Sequence, residues 1–192
     1  MPRRRFLTKE EVSILLQASL VGRHAVRNHA IIFLAFRHGF RISELLSIRI
    51  SDIDMHAKQI YVKRKKNGFS TIHPFDTQEL EVISQWMKVR GSYIKSLESE
   101  YLFLSDRHSQ LSRKQAWKII KECGIRGGIR VVTHPHMLRH ACGYALANEG
   151  ADTRLIQDYL GHKNIRHTVH YTKANPERFS LFLKSALKQP LT

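Results

Sequence analysis

The chain has 192 residues, with 32 Lys and Arg against 16 Asp and Glu, for a formal charge of +16 with histidine neutral. That length is enough for one domain with its own core, and only two cysteines, both in apolar stretches, argue against a disulfide-stapled scaffold or a thiolate zinc cluster. The charge is far above what solubility asks for and points to a polyanion, nucleic acid rather than membrane, because the basic residues are spread along the whole chain.

The opening Met1-Pro2-Arg3-Arg4-Arg5 is basic, but no apolar core of signal-peptide length follows it. Ala30 to Phe36 is too short to cross a bilayer, and Leu45 to Ile53 is broken by Ser47, Arg49, Ser51 and Asp52, so the chain is expected to be intracellular. Thr8-Lys9-Glu10-Glu11 has the form of a capping box, and Val12, Leu15, Leu16, Ser19 and Leu20 continue from it at helical spacing. A second helix is expected from about Ala25 to His38, ended by Gly39, and a short one at about Ser43 to Leu46. Gln59 to Lys63 and Ser70 to His73 flank Lys66-Asn67-Gly68, a hairpin pattern whose second strand stops at Pro74.

Asp76-Thr77-Gln78-Glu79 starts a further helix running through Leu80, Ile83, Trp86 and Met87 to Gly91. Ser112-Arg113-Lys114-Gln115 starts another, expected to stop at Gly124, with Gly124 to Gly128 as loop. Trp117 on this helix is expected in the core, as are the thiols of Cys123 and Cys142. Pro135 suits the first turn of a helix reaching about Asn148, Asp152 opens one ended by Gly161, and Asn175-Pro176-Glu177 opens the last, with Phe179, Phe182, Leu183, Ala186 and Leu187 on one face. The class is therefore mainly α with a small β-hairpin or sheet, in one domain spanning residues 1–192.

The final third carries the chemistry. Pro135 pins a helix start, so His136, Arg139 and His140 fall at i, i+3 and i+4 on one side of its first turns. Two histidines at that spacing resemble metal ligands, but the glutamate of the zinc-protease pattern is missing, and no metal or other cofactor is expected. Tyr144 and Tyr159 read as half-buried aromatics, His140 as a residue that packs or orients its helix, and His167 and His170 as surface groups.

His136-Met137-Leu138-Arg139-His140, then Leu160-Gly161-His162, then Tyr171 nine residues later, resemble the tyrosine recombinase or phage integrase family. Upstream, Gly39-Phe40-Arg41-Ile42-Ser43-Glu44-Leu45 is similar to that family's first arginine box. The resemblance implies the DNA breaking-rejoining catalytic fold, with Arg41 and Arg139 gripping a scissile phosphate. It also implies Tyr171 as nucleophile, His136 as acid or base beside it, His162 hydrogen-bonded to the phosphate, and a hairpin lysine protonating the leaving 5' oxygen. That lysine is Lys66, or Lys65 if the strand register slips by one. Fixed cationic donors suit this chemistry because charge gathers on the non-bridging oxygens in the transition state.

Gly68-Phe69-Ser70-Thr71 and Leu155-Ile156-Gln157-Asp158-Tyr159-Leu160-Gly161-His162 further resemble the short enterobacterial recombinases that invert fimbrial promoter elements. On that likeness the partner is double-stranded DNA with inverted repeats, bound by a homo-tetramer with DNA-bending accessory proteins in a bacterial cytoplasm, at the nucleoid. No separate N-terminal core-binding domain is expected, and residues 175–192 are expected to dock on a neighbouring protomer. Arg3, Arg4, Arg5, Lys63, Arg64 and Lys65 are expected to meet phosphates, as are Arg113, Lys114, Lys118, Arg126, Arg130, Lys163 and Arg166. Glu44 and Asp158 are expected to orient cations or cap backbone groups. Two other functions use the same residues or fold: a type IB topoisomerase-like nicking and closing enzyme, and a non-catalytic DNA-binding regulator.

Overall fold

The computed structural model describes residues 4–64, 70–106 and 110–173. Helix α1 (Lys9–Ser19) begins at the expected capping box, with the Thr8 Oγ1 accepting from the Glu11 N–H and the Glu11 carboxylate accepting from the Thr8 N–H. It packs on α2 (Ala25–Arg37), in which every residue from Ala30 to Ala35 is buried. A helix apolar all round belongs at the centre of a fold. Helix α2 accordingly contacts α1, the long helices α4 (Thr77–Arg90) and α6 (Pro135–Asn148), and the short α3 (Ile42–Leu45).

A three-stranded antiparallel sheet, ordered β1 (Ile53–Asp54), β2 (Gln59–Val62), β3 (Thr71–Pro74), stands beside the helices. Its Ile60↔His73 and Tyr61↔Ile72 pairs alternate inward and outward as a pleated strand requires: Ile60 and His73 are buried, Tyr61 and Ile72 exposed. The sequence reading anticipated β2 and β3 but not β1, whose two residues are too short for any periodic signal. The hairpin tip, with Lys65 and Lys66, lies outside the described residues.

Two expectations for α5 (Arg113–Arg126) are corrected. The helix continues through Gly124, because a residue without a side chain is what the site demands: a Cβ there would lie 2.1 Å from the Thr133 Oγ1, which donates to the Ile120 carbonyl. Gly124 is thus a helix-to-loop contact and not a stop signal. Trp117 is 42% exposed rather than core, its ring covered by the Lys121 ammonium at 5.3 Å, because Ala116, Ile120 and Cys123 form the buried stripe and Trp117 lies off it. Cys123 and Cys142 are buried free thiols.

The chain closes with α6, α7 (Thr153–Leu160) and α8 (Arg166–Thr172), which pack on one another around a small second core of Cys142, Ala147, Ile156, Leu160 and Tyr171. Helix α8 has no counterpart in the sequence reading. The helix expected from Asn175 lies outside the described residues. Among the described residues no helix is long and apolar enough to cross a membrane.

Candidate active site

Gly39 ends α2, and Arg41 enters α3 beside Glu44. One Glu44 oxygen accepts from the Arg41 NH1 at 2.7 Å, and the other accepts from the Arg41 backbone N–H at 3.1 Å. That second oxygen also accepts from the Arg64 NH1 at 3.0 Å and stands 4.0 Å from the Arg139 NH1. A single buried carboxylate therefore sits among three guanidinium groups. Burial works against its charge, but the Arg64 and Arg41 cations hold its carboxyl below the usual carboxylate range. Glu44 orients cations, as expected; Asp158 is exposed and stands 3.9 Å from Arg154 on its own helix.

Pro135 occupies the first turn of α6, and the helix carries His136, Arg139 and His140 toward one cleft. Arg139 is buried, donating from NH1 to the Gly39 carbonyl at 2.5 Å and from NH2 to the Leu160 carbonyl at 2.7 Å. Burial, with Arg41 beside it, brings this guanidinium down to about 10, so it remains charged near neutrality. Tyr171 reaches the same place from α8. Its hydroxyl lies 2.9 Å from the His140 Nδ1, its ring stacks 6.4 Å from the His162 ring, and Gly143 makes room for it, since a Cβ there would fall 2.5 Å from the Tyr171 Cζ. At 1% exposure the Tyr171 phenol is covered, and burial pushes its pKa well above the ordinary range while the Arg139 cation opposes that shift.

The result is a cleft of about 890 Å³ lined by Arg41, His136, Arg139, His140, His162 and Tyr171, together with Arg154, Gln157, Lys163, Asn164, Ile165, His167 and His170. Of the six residues expected to carry chemistry, five meet here, and Lys66 lies outside the described residues. His140 is the member whose position the sequence did not indicate: the i, i+4 spacing with His136 was visible, but its contact with Tyr171 depends on how α8 packs on α6. His167 and His170 are exposed on the rim. No group of three or more potential metal ligands is found among the described residues.

His140 and His162 are held neutral. His162 is brought to about 3 by burial and by the Arg139 and Arg41 cations, and His140 to about 4 by burial and the surrounding His and Arg groups. His73 falls to about 3 through burial, His38 and Arg64. Neutral His140 can accept the phenolic proton, and neutral His162 accepts or donates with the Thr168 hydroxyl at 2.8 Å. In the unfolded chain these rings would titrate near 6.5. As pH falls below that value the unfolded state takes up protons that the folded state refuses, so stability should decline steadily from pH 6.5 to about 4. Thermal midpoints of the DNA-free protein across this window, at constant ionic strength, test this; a flat profile would exclude it.

The basic residues expected on DNA divide. Lys63, Arg113, Lys114, Arg130, Lys163 and Arg166 are exposed, Arg5 also, and Lys118 is exposed but 3.6 Å from Glu122. Arg4 pairs with Glu11, and Arg126 donates to the Ala18 carbonyl at 2.8 Å, tying α5 to the end of α1. Arg64 is a correction: its side chain is fully buried, bonded to Glu44 and to the Tyr159 carbonyl, so it meets no phosphate. The inward-outward alternation of β2 continues just past its end, leaving Lys63 exposed and Arg64 buried in the phase of Ile60 and Val62. Arg3 and Lys65 lie outside the described residues.

Comparison with known proteins agrees with this geometry. The sequence profile described as the phage integrase family matches residues 5–178. The chain is 51% identical over 180 residues to the type 1 fimbriae regulatory protein FimE of Escherichia coli K12, covering 94% of this chain and 91% of that protein. It is 53% identical over 177 residues to the type 1 fimbriae regulatory protein FimB of the same strain, covering 92% and 88%. Its fold matches the crystal structure of XerA recombinase with a TM-score of 0.83 at 25% identity, over 98% of this chain and 66% of that one.

Proposed function

From the premise that this chain belongs to the phage integrase family and is a tyrosine site-specific recombinase acting on DNA, we propose that it inverts a promoter element lying between inverted repeats and so switches fimbrial gene expression. The observation that carries the chemical part is the convergence of Arg41, Arg139, His136, His162 and Tyr171 on one cleft. Support for the biological part is the identity of 51% and 53% to two fimbrial regulatory proteins over nearly the whole chain.

In this reading Arg41 and Arg139 hold the non-bridging oxygens of a scissile phosphate, each through donors not already committed to Glu44 or to carbonyls, and they stabilise the charge that grows there in the transition state. The Tyr171 oxygen attacks phosphorus as its proton passes to a neutral imidazole, His140 in the resting contact or His136 at the cleft mouth. A bond forms between phenol oxygen and phosphorus, and the bond to the 5' oxygen breaks. That oxygen takes a proton from Lys66, or Lys65 in the neighbouring register, while His162 hydrogen-bonds the phosphate. The 3' phosphotyrosyl ester keeps the bond energy, so a 5' hydroxyl from another strand reverses the step without ATP or metal. Because the resting phenol is buried against Gly143, α8 shifts to present it in line.

Residues 1–192 act as one catalytic domain, four copies on two synapsed sites, with residues 175–192 joining neighbouring protomers and accessory proteins bending the DNA. Exposed cations on α5, including Arg113 and Lys114, and Lys163 and Arg166 beside the cleft, contact the duplex backbone, which makes affinity fall steeply with salt.

A nicked duplex carrying a fimbrial inverted repeat tests the proposal. The wild type should trap a covalent adduct whose cross-linked peptide contains Tyr171, and it should invert the segment between two such repeats on a supercoiled plasmid. Relaxation without inverted product would instead favour a topoisomerase-like enzyme. Binding with no adduct would favour a regulator.

A further inference from the structure

We infer that Arg64 is a positioning residue for the phosphate-binding centre, one that holds Glu44 away from Arg139 and fixes the end of α7 from which His162 is delivered. The inference rests on the phosphate-binding role proposed above for Arg41 and Arg139. Arg64, two residues past the end of β2, has no exposed side-chain surface, and its two terminal nitrogens reach different elements. NH1 donates to the Glu44 Oε2 on α3 at 3.0 Å, and NH2 donates to the Tyr159 carbonyl in the last turn of α7 at 2.5 Å. The next carbonyl, that of Leu160, takes the Arg139 NH2 at 2.7 Å. Two buried guanidinium groups thus hold successive carbonyls at the negative end of α7. Immediately beyond, Gly161 turns the chain at φ 65° toward His162, and it is pressed so closely on Arg64 that a Cβ would lie 2.6 Å from the Arg64 Nε. Arg64 therefore ties the hairpin, the Arg41 helix and the His162 turn together.

The charges give this arrangement a second consequence. Glu44 Oε2 is 3.0 Å from Arg64 but 4.0 Å from Arg139. Without Arg64, a buried carboxylate would have a free lone pair 4.0 Å from Arg139, a cation otherwise bonded to neutral carbonyls. It would close that gap and turn Arg139 from the cleft, or take up a proton and release Arg41. With Arg64 in place, Glu44 is satisfied and the centre keeps a surplus of positive charge facing the phosphate. His73, whose Nε2 is 3.4 Å from the Arg64 NH2, closes the remaining side of the pocket.

The test is a double-mutant cycle with wild type, R64M, E44Q and R64M/E44Q, reading DNA affinity, single-turnover cleavage of the nicked repeat and thermal midpoint. R64M should leave DNA affinity within about twofold but slow cleavage at least about 30-fold, and the same replacement in the E44Q background should cost less than about fivefold, since no carboxylate then needs neutralising. If R64M does not fold, R64K carries the test. It keeps the charge but cannot span Glu44 and the Tyr159 carbonyl together, and it should bind normally and cleave about tenfold more slowly. Equal costs in both backgrounds, or an R64K enzyme cleaving at the wild-type rate, would overturn the inference while leaving the site intact. A wild type that forms no Tyr171 adduct would instead overturn the proposed site, and this role with it.

Discussion

Tyr171→Phe should abolish covalent capture of the nicked duplex, lowering single-turnover cleavage by a factor on the order of 10⁴ or more, because among the described residues no other hydroxyl lines the cleft. The fold should survive. The ring keeps its seat against Gly143 and its stacking on His162, and only the contact of the hydroxyl with the His140 Nδ1 is lost. One neutral hydrogen bond of this kind contributes about 1 kcal/mol, with a further modest cost for leaving the imidazole nitrogen unpaired. Because Tyr171 is 1% exposed in the resting state, DNA affinity should change little. The measurement is gel analysis of the adduct alongside a binding isotherm. Adduct formation by the Phe variant would remove Tyr171 from the mechanism.

Arg139→Met should be nearly as damaging to cleavage, on the order of 10³-fold, and unlike the tyrosine change it should also weaken the fold. Arg139 gives NH1 to the Gly39 carbonyl and NH2 to the Leu160 carbonyl, so its loss orphans two buried acceptors, a cost of about 2–4 kcal/mol. Arg139→Lys keeps a charge but cannot reach both carbonyls and a phosphate at once, and it should recover stability more than it recovers rate. Cleavage rates and thermal midpoints of the two variants, compared side by side, check this. A Lys variant restored equally in rate and midpoint would mean that charge alone, not the fork, is what the site uses.

The elements that the sequence revealed are those with local punctuation. Thr8, Asp76, Ser112 and Asp152 each cap a helix through their own side chains, and Pro135 starts α6, so these boundaries are written in neighbouring residues. Where a boundary depended on a distant partner, the local signal misled. Gly124 looks like a stop, yet it is the small residue that lets Thr133 pack against α5. Trp117 looks like core on composition, yet its helix buries a stripe that passes it by. Helix α8, with three polar residues and two histidines in Arg166–Thr172, carries no apolar periodicity and is held by packing on α6 and α7.

For the site, Arg41, His136, Arg139, His162 and Tyr171 stood out because their order and spacing resemble the tyrosine recombinase family, and it is that resemblance, not spacing by itself, that implies phosphoryl transfer through tyrosine. The sequence by itself thus determined the fold class and the family, and with them the residues expected in the site. Only the tertiary structure decided how they are held: that Tyr171 rests buried beside His140, that Glu44 is shared by cations from three elements, and that Arg64 lies inside the protein. Local patterns report hydrogen bonds and periodicities within a few residues, whereas the burial of Arg64 depends on the last turn of α7, whose Tyr159 carbonyl it grips from 95 positions away in the chain. In a run reading Lys63-Arg64-Lys65-Lys66, composition points every charge to solvent, yet Arg64, just past the end of β2, turns inward to Glu44 and the Tyr159 carbonyl.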